Sequence, residues 1–261
     1  MIDRTKAKKA FKEYVLPYDV QNPKIAIKIA HTYRTAEVAE DIAKSIGLDE
    51  KNIDLAWIMG LLHDIGRFEQ LRIYDTFDDQ ISIDHADFGV KVLFEDGVIR
   101  KFINDVKYDE IIYKAIQNHN KYEIEEGLTN EELLHAKIIR DADKTDIFGV
   151  HLKELEKKEN VLYQEENIRM QKISEEVMKE FLAYRPIHRK YVKNDMDRFV
   201  VIIAFIYDYY YKRGLEIIRE NQYIERMIKT VECNQEAKEQ LELVKQTAFD
   251  FLEKNIEKKR G

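Results

Sequence analysis

Apolar positions recur at spacings of three and four along this chain, the period of an amphipathic helix. Ile25, Ile29, Ala36, Ala39, Ala43 and Ile46 fall on one such stripe, and Leu241, Val244, Ala248 and Leu252 form another near the end. The pattern predicts helices near 3–15, 24–46, 51–63, 84–94, 108–119, 130–157, 164–183, 195–212, 214–230 and 234–258. No stretch alternates as a strand would, and neither an internal repeat nor a low-complexity tract interrupts the series. The fold class read from the pattern is all-α. The longest apolar run, residues 199–206, is far shorter than the about 20 residues a bilayer-spanning helix needs, so it reads as a buried helix and no membrane partner is expected.

Breakers are few. The chain has three prolines and nine glycines, and the glycines stand at what read as segment ends. Pro186, with polar residues after it, marks the best internal boundary, from Ala183 to Asn194. No flexible linker is visible. The expectation is one helical domain over 1–261, with residues 20–150 carrying the chemistry and 151–261 completing the core.

Composition narrows the function. Apolar residues at 44% can offset the ordering entropy of a chain that is 36% charged. A net charge of −7 gives no broad footprint for a nucleic-acid backbone, which disfavours an extended nucleic acid while leaving room for a local phosphate pocket. Cys233 is the only cysteine, so neither an intramolecular disulfide nor a thiolate cluster is expected, and the reading is cytoplasmic. The first residues show no secretory signal pattern.

Against this background four histidines and two aspartates stand out, at His31, His63, Asp64, His85, His119 and Asp143, each on or near the end of an apolar stripe. His31 follows Ile27 by four positions, and His63 follows Ala56 by seven and Gly60 by three. His119 closes the line Ile112, Ala115, Ile116, and His85 leads Phe88, Gly89 and Val92. Asp143 extends Ala136 and Ile139, where a buried carboxylate requires a cation or a basic partner such as Arg140 or Lys144. Any one histidine on an apolar face is more often an ordinary core residue than a ligand. Six such residues together point to a distributed site for one or two divalent cations. His135, His151 and His188 lack this placement and read as solvent-facing or satisfied by ordinary hydrogen bonds.

The run Leu61-Leu62-His63-Asp64-Ile65-Gly66-Arg67, with His31 upstream and Asp141-Ala142-Asp143-Lys144 downstream, resembles the HD-domain superfamily of metal-dependent phosphohydrolases over about half the chain. The resemblance implies a multi-helix HD bundle with additional C-terminal helices. It implies that His31, His63, Asp64 and Asp143 hold one metal, with Asp141 as an alternative to Asp143. The presence of His85 and His119 resembles the dinuclear branch, in which Asp64 would bridge two ions drawn from Mn, Fe, Co, Ni or Zn.

Two such ions suit hydrolysis of a phosphate ester or anhydride by an activated water. The expected substrate is a small phosphorylated molecule, a nucleotide foremost. Asp64 and Arg67 are the expected catalytic pair, with Arg67, Lys144 and Arg34 as phosphate-binding cations; the competing role for Arg67 is a salt bridge to Glu69 or a surface aspartate. The HDIGRFEQ run, with Glu69 and Gln70, departs from the pattern of alarmone hydrolases, and the extension typical of cyclic-dinucleotide phosphodiesterases is absent. The tyrosines at 207 and 209–211 read as helix packing rather than base stacking. Two other functions fit the resemblance: a mixed-valence di-iron oxygenase with the same ligand set, and a non-catalytic nucleotide sensor.

Overall fold

The structure, a computed structural model, describes residues 2–157, 161–163 and 165–258. Every regular element among the described residues is helical, as the apolar period predicts. No described helix is long and apolar enough to cross a membrane. The chain divides into two compact units, Met1–Asp146 and Ile147–Gly261.

The first unit contains α1 (Arg4–Val15), α2 (Pro23–Ser45), α3 (Glu50–Leu62), α4 (Ile65–Tyr74), α5 (His85–Val90) followed by a π turn at Lys91–Glu95, α6 (Ile99–Phe102), α7 (Asp109–Asn118) and the first part of α8 (Asn130–Leu155). Local chemistry starts several of them. The side chains of Asp3, Asn22, Asp49 and Asp84 each accept a backbone N–H in the first turn of α1, α2, α3 and α5, and Pro23 fills the first position of α2, where its missing N–H costs nothing.

The closest pairing is α2 on α3, and Gly60 permits it: a Cβ at that position would lie 2.6 Å from Ala36 Cα. α4 packs on α5 through a second close approach, where a Cβ on Gly66 would lie 2.5 Å from the His85 carbonyl oxygen. Around these contacts Phe11, Leu55, Ile58, Met59, Leu61 and Phe68 are fully buried.

The second unit contains the end of α8 with α9 (Glu165–Met170), α10 (Glu175–Leu182), α11 (Asp195–Ala204), α12 (Lys212–Glu220), α13 (Tyr223–Thr230) and α14 (Gln235–Lys258). Its core gathers Phe148, Phe181, Phe199, Met227 and the apolar stripe of α14, including Leu241, Val244, Ala248 and Leu252. Pro186 lies inside this unit.

Several predicted helices are shorter than the apolar period suggests. The 164–183 segment, whose first residue lies outside the described residues, is two helices: the Ile173 amide donates to Gln240 and the Ser174 amide and hydroxyl to Asp197, so side chains of other helices replace the helical bonds there. The 214–230 segment breaks at Gln222, whose backbone is left-handed at φ 53°. The 195–212 helix stops at Ala204 and gives way to a 3-10 turn, Phe205–Asp208. Tyr207 packs against Phe181, Tyr184 and Phe251, with ring centroids 4.8–5.7 Å apart. α4 was not predicted at all: between polar and charged neighbours its buried positions are only Ile65, Gly66, Phe68, Gln70 and Leu71.

Candidate metal centre

The helices of the first unit bring all six predicted ligands to one place. His31 sits within α2, about two turns from its start, while His63 and Asp64 form the junction between α3 and α4. His85 opens α5, His119 follows the last residue of α7, and Asp143 lies within α8. His31, His63, Asp64, His85 and His119 are at most 5% exposed.

The centre has two halves that share Asp64. One carboxylate oxygen, Oδ2, lies 3.6 Å from His31 Nε2 and 3.5 Å from His63 Nε2; the other, Oδ1, lies 3.5 Å from His85 Nε2 and 3.8 Å from His119 Nε2. Asp143 Oδ1 joins the first half, 3.0 Å from His31 Nε2 and 3.5 Å from His63 Nε2. The buried groups His31, His63, Asp64 and Asp64, His85, His119 each offer ligand atoms within 4.8 Å of one another, a spread that suits a metal ion. Asp143 rather than Asp141 is the carboxylate placed against His31 and His63.

Each imidazole is held by its other nitrogen. His63 Nδ1 donates to the Gly60 carbonyl at 2.8 Å and His119 Nδ1 to the Ile116 carbonyl at 2.6 Å. His31 Nδ1 lies 2.7 Å from Asp146 and His85 Nδ1 2.6 Å from Asp79. A carbonyl only accepts, so Nδ1 of His63 and of His119 carries a proton, and a ring bound through Nε2 would offer its lone pair to the centre. This is how metal-ligating histidines are commonly oriented.

The electrostatics agree. Burial, helped by Arg67, pushes His85 down to about 4, which keeps its ring neutral. Its Nε2 and that of His119 are 3.0 Å apart. Two nitrogen lone pairs at that distance repel unless a cation stands between or beside them, so this donor set fits a metal. Burial disfavours a charged Asp64, but Lys28 and the histidines outweigh it and hold the carboxyl well below its ordinary range. Asp143 is likewise held low, its burial outweighed by hydrogen bonds from His31 and His63. For His31, burial and Lys28 oppose the charged ring, yet hydrogen bonds to Asp143 and Asp146 raise it to about 8. A divalent cation would replace that proton.

Three residues of the centre were not foreseen. Asp146 bonds both His31 and, through two guanidinium nitrogens at 2.6 and 2.9 Å, Arg34. Its signal was present: Asp143 and Asp146 repeat the spacing of His31 and Arg34, so two i, i+3 pairs face each other. Asp79 comes from the loop after α4 and had no periodic signal. Lys28, one turn before His31, places its ammonium 2.5 Å from Asp64 Oδ2.

The expected phosphate-binding cations have partners within the protein. The Arg67 guanidinium donates to Gln70, the Phe77 carbonyl and Asp79 at 2.7–2.8 Å, while its Nε lies 3.6 Å from Asp64 Oδ1. Its ion pairs are with Asp79 and Asp64, not with Glu69, which pairs with Arg72. Lys144 is partly exposed beside Asp143. Of the three remaining histidines, His188 is exposed and His151 bonds the Tyr163 hydroxyl, but His135 is fully buried, with Nε2 3.0 Å from Asn52 Oδ1.

The family model of the HD domain matches residues 29–147, the stretch that contains His31, His63, Asp64, His85, His119 and Asp143. The chain carries an HD domain. HD domains are generally metal-dependent phosphohydrolases. The match ends one residue beyond the first compact unit, so the HD domain coincides with the α2–α8 part of that unit. No curated protein and no solved structure matches the chain.

Proposed function

We propose that this HD domain holds two divalent cations bridged by Asp64 and hydrolyses a phosphate ester or anhydride on a small molecule, a nucleotide foremost. The observation that carries the reading is the division of Asp64: one oxygen faces His31 and His63, the other His85 and His119, and each pair closes a separate buried donor set. In this reading His31, His63 and Asp143 complete one ion and His85 with His119 the other. Such a pair of cations supplies a water of lowered pKa and offsets charge on phosphoryl oxygens.

The chain's own residues do the rest. Asp146, Asp79 and the carbonyls of Gly60 and Ile116 fix the four rings with Nε2 inward. Arg34 acts through Asp146, since its fork is spent on that carboxylate. Arg67 beside Asp64, and Lys144 beside Asp143, are assigned to the substrate side. Arg67 is prearranged for that role by Phe77, Gln70 and Asp79, so little rotamer freedom remains to be lost on binding.

An activity screen tests the proposal, with manganese, iron, cobalt, nickel or zinc added and nucleotides, cyclic dinucleotides and phosphomonoesters as substrates. Metal-dependent hydrolysis that is lost in His63→Ala and Asp64→Ala, read as free phosphate from monoesters and as ring opening of cyclic dinucleotides, is the expected result, and turnover with redox-inert zinc would exclude oxygenase chemistry. Failure of every metal and substrate pair to turn over would contradict the hydrolase reading, and oxygen-consuming turnover with iron alone would replace it.

A further inference from the structure

We propose that Lys28 is a substrate-binding residue that selects a dianionic phosphate, the terminal group of a phosphomonoester, over the monoanion of a phosphodiester; the inference rests on the hydrolase reading above. Its ammonium lies 2.5 Å from Asp64 Oδ2, and its side chain is 18% exposed, so it stands at the wall of the centre with access to solvent. It also lies 5.6 Å from the centroid of the Phe77 ring. The Arg67 guanidinium lies over the same ring, also at 5.6 Å, with Nε 3.6 Å from the other oxygen of Asp64. One partly buried aromatic ring thus carries two cations, one beside each oxygen of the bridging carboxylate.

Charge gives this arrangement its meaning. Four carboxylates, Asp64, Asp79, Asp143 and Asp146, and three cationic side chains, Lys28, Arg34 and Arg67, are linked by contacts of 3.6 Å or less through the centre, a formal balance of −1 when the imidazoles are neutral, as metal ligands are, and Lys144 beside Asp143 is left aside. Two divalent cations would change that balance to +3. A counter-ion for Asp64 would then be superfluous, and an ammonium left beside two cations is repelled unless an anion is shared among them. A phosphate dianion with an attacking hydroxide carries three negative charges, whereas a diester monoanion with hydroxide leaves one positive charge uncompensated. Lys28 sits on a helix one turn from a ligand, so it is held at the centre whether or not a substrate is there; it can turn from Asp64 to a phosphoryl oxygen by side-chain rotation alone.

Calorimetric titration of the manganese-loaded full chain with inorganic phosphate and with dimethyl phosphate tests this without relying on turnover. Phosphate is expected to bind the more tightly. Lys28→Met, which keeps the length of the stem against Phe77, is expected to weaken phosphate by about tenfold or more, the worth of one charge-assisted hydrogen bond. Dimethyl phosphate affinity and manganese content should be unchanged. Equal phosphate affinity in the variant and wild type, no phosphate binding by the wild type, or loss of manganese from the variant would each overturn the assignment. If Lys28→Met does not fold, Lys28→Gln and the charge-retaining Lys28→Arg replace it, with phosphate affinity expected to fall in the first and survive in the second. Phosphate bound through Lys28 without ester turnover would defeat the hydrolase reading alone; ester turnover with phosphate affinity indifferent to Lys28 would defeat this inference alone.

Discussion

Asp64 is 2% exposed at the junction of two helices, and its position explains why a carboxylate is tolerated there. Each oxygen meets two imidazoles, and a charged side chain stands beside each, Lys28 on one side and Arg67 on the other. The outer contacts are as necessary as the inner ones. Removing Asp146 would free the His31 ring to rotate and leave Arg34 without its partner, so Asp146→Ala is expected to weaken metal binding by roughly 10–100-fold while Asp141→Asn changes it less. A manganese titration of both variants measures this, and equal affinities would contradict the role of Asp146. A residue outside the centre adds to acid sensitivity. Burial pushes His135 from its ordinary 6.5 down to about 4, and no group donates to its buried Nδ1. The unfolded chain therefore binds a proton between about pH 6.5 and 4 that the folded chain refuses. His135 should cost no stability above 6.5 and an increasing amount as the pH falls through that window. Urea midpoints for the wild type and His135→Gln should converge or cross on acidification, and parallel pH profiles would contradict this. At this scale the six ligands were legible because each continues an apolar stripe with a residue type that packing alone does not favour. Asp79 and Lys28 were not, since one lies on a loop and the other looks like an ordinary surface lysine.

The elements place those residues through two points of backbone contact. Gly60 brings α3 against Ala36 of α2, one turn before His63 and within reach of His31, and Gly66 brings α4 against the first turn of α5, where His85 begins. Gly60→Ala would thrust a methyl group 2.6 Å from backbone, which no side-chain rotation relieves. It should cost about 1–3 kcal/mol by overpacking and, by spreading α2 from α3, weaken metal binding as well. Thermal unfolding with and without manganese separates the two effects; an unchanged melting temperature would show that α2 and α3 have room to spare. The long helices α2, α8 and α14 were legible because their stripes persist over many turns. Short ones escaped for physical reasons. α4 is stabilised by burial of Phe68 and Leu71 rather than by a long stripe, and its left-handed end at Asp75 turns the chain into the loop that carries Phe77 and Asp79. The breaks between α9 and α10 and between α12 and α13 come from tertiary hydrogen bonds and a left-handed Gln222, which no local periodicity encodes.

Across the molecule the metal centre belongs wholly to the unit Met1–Asp146, while Ile147–Gly261 has a core of its own built on Phe148, Phe181, Phe199 and α14. A ligand that binds only the folded form stabilises it, so manganese at a hundred times the Kd of each site should add about 2.7 kcal/mol per bound ion to the stability of the first unit, and a chelator should reverse the gain. The melting transition of the second unit should not respond; a uniform shift of the entire unfolding profile would instead mean that the two units unfold together. The all-α class and the HD identity were legible from sequence because both rest on helix period and on ligand order along the chain. The units divide at residue 146, close to the expected limit of the chemistry-bearing part at residue 150, although α8 runs through both positions without a break in pattern. The claim on which the rest depends is that six residues make two cation sites joined at Asp64. Elemental analysis of the manganese-reconstituted, desalted full chain tests it most directly, with His119→Ala measured alongside. Two ions per chain in the wild type and one in the variant is the predicted result; one ion in the wild type, or two retained without His119, would contradict it.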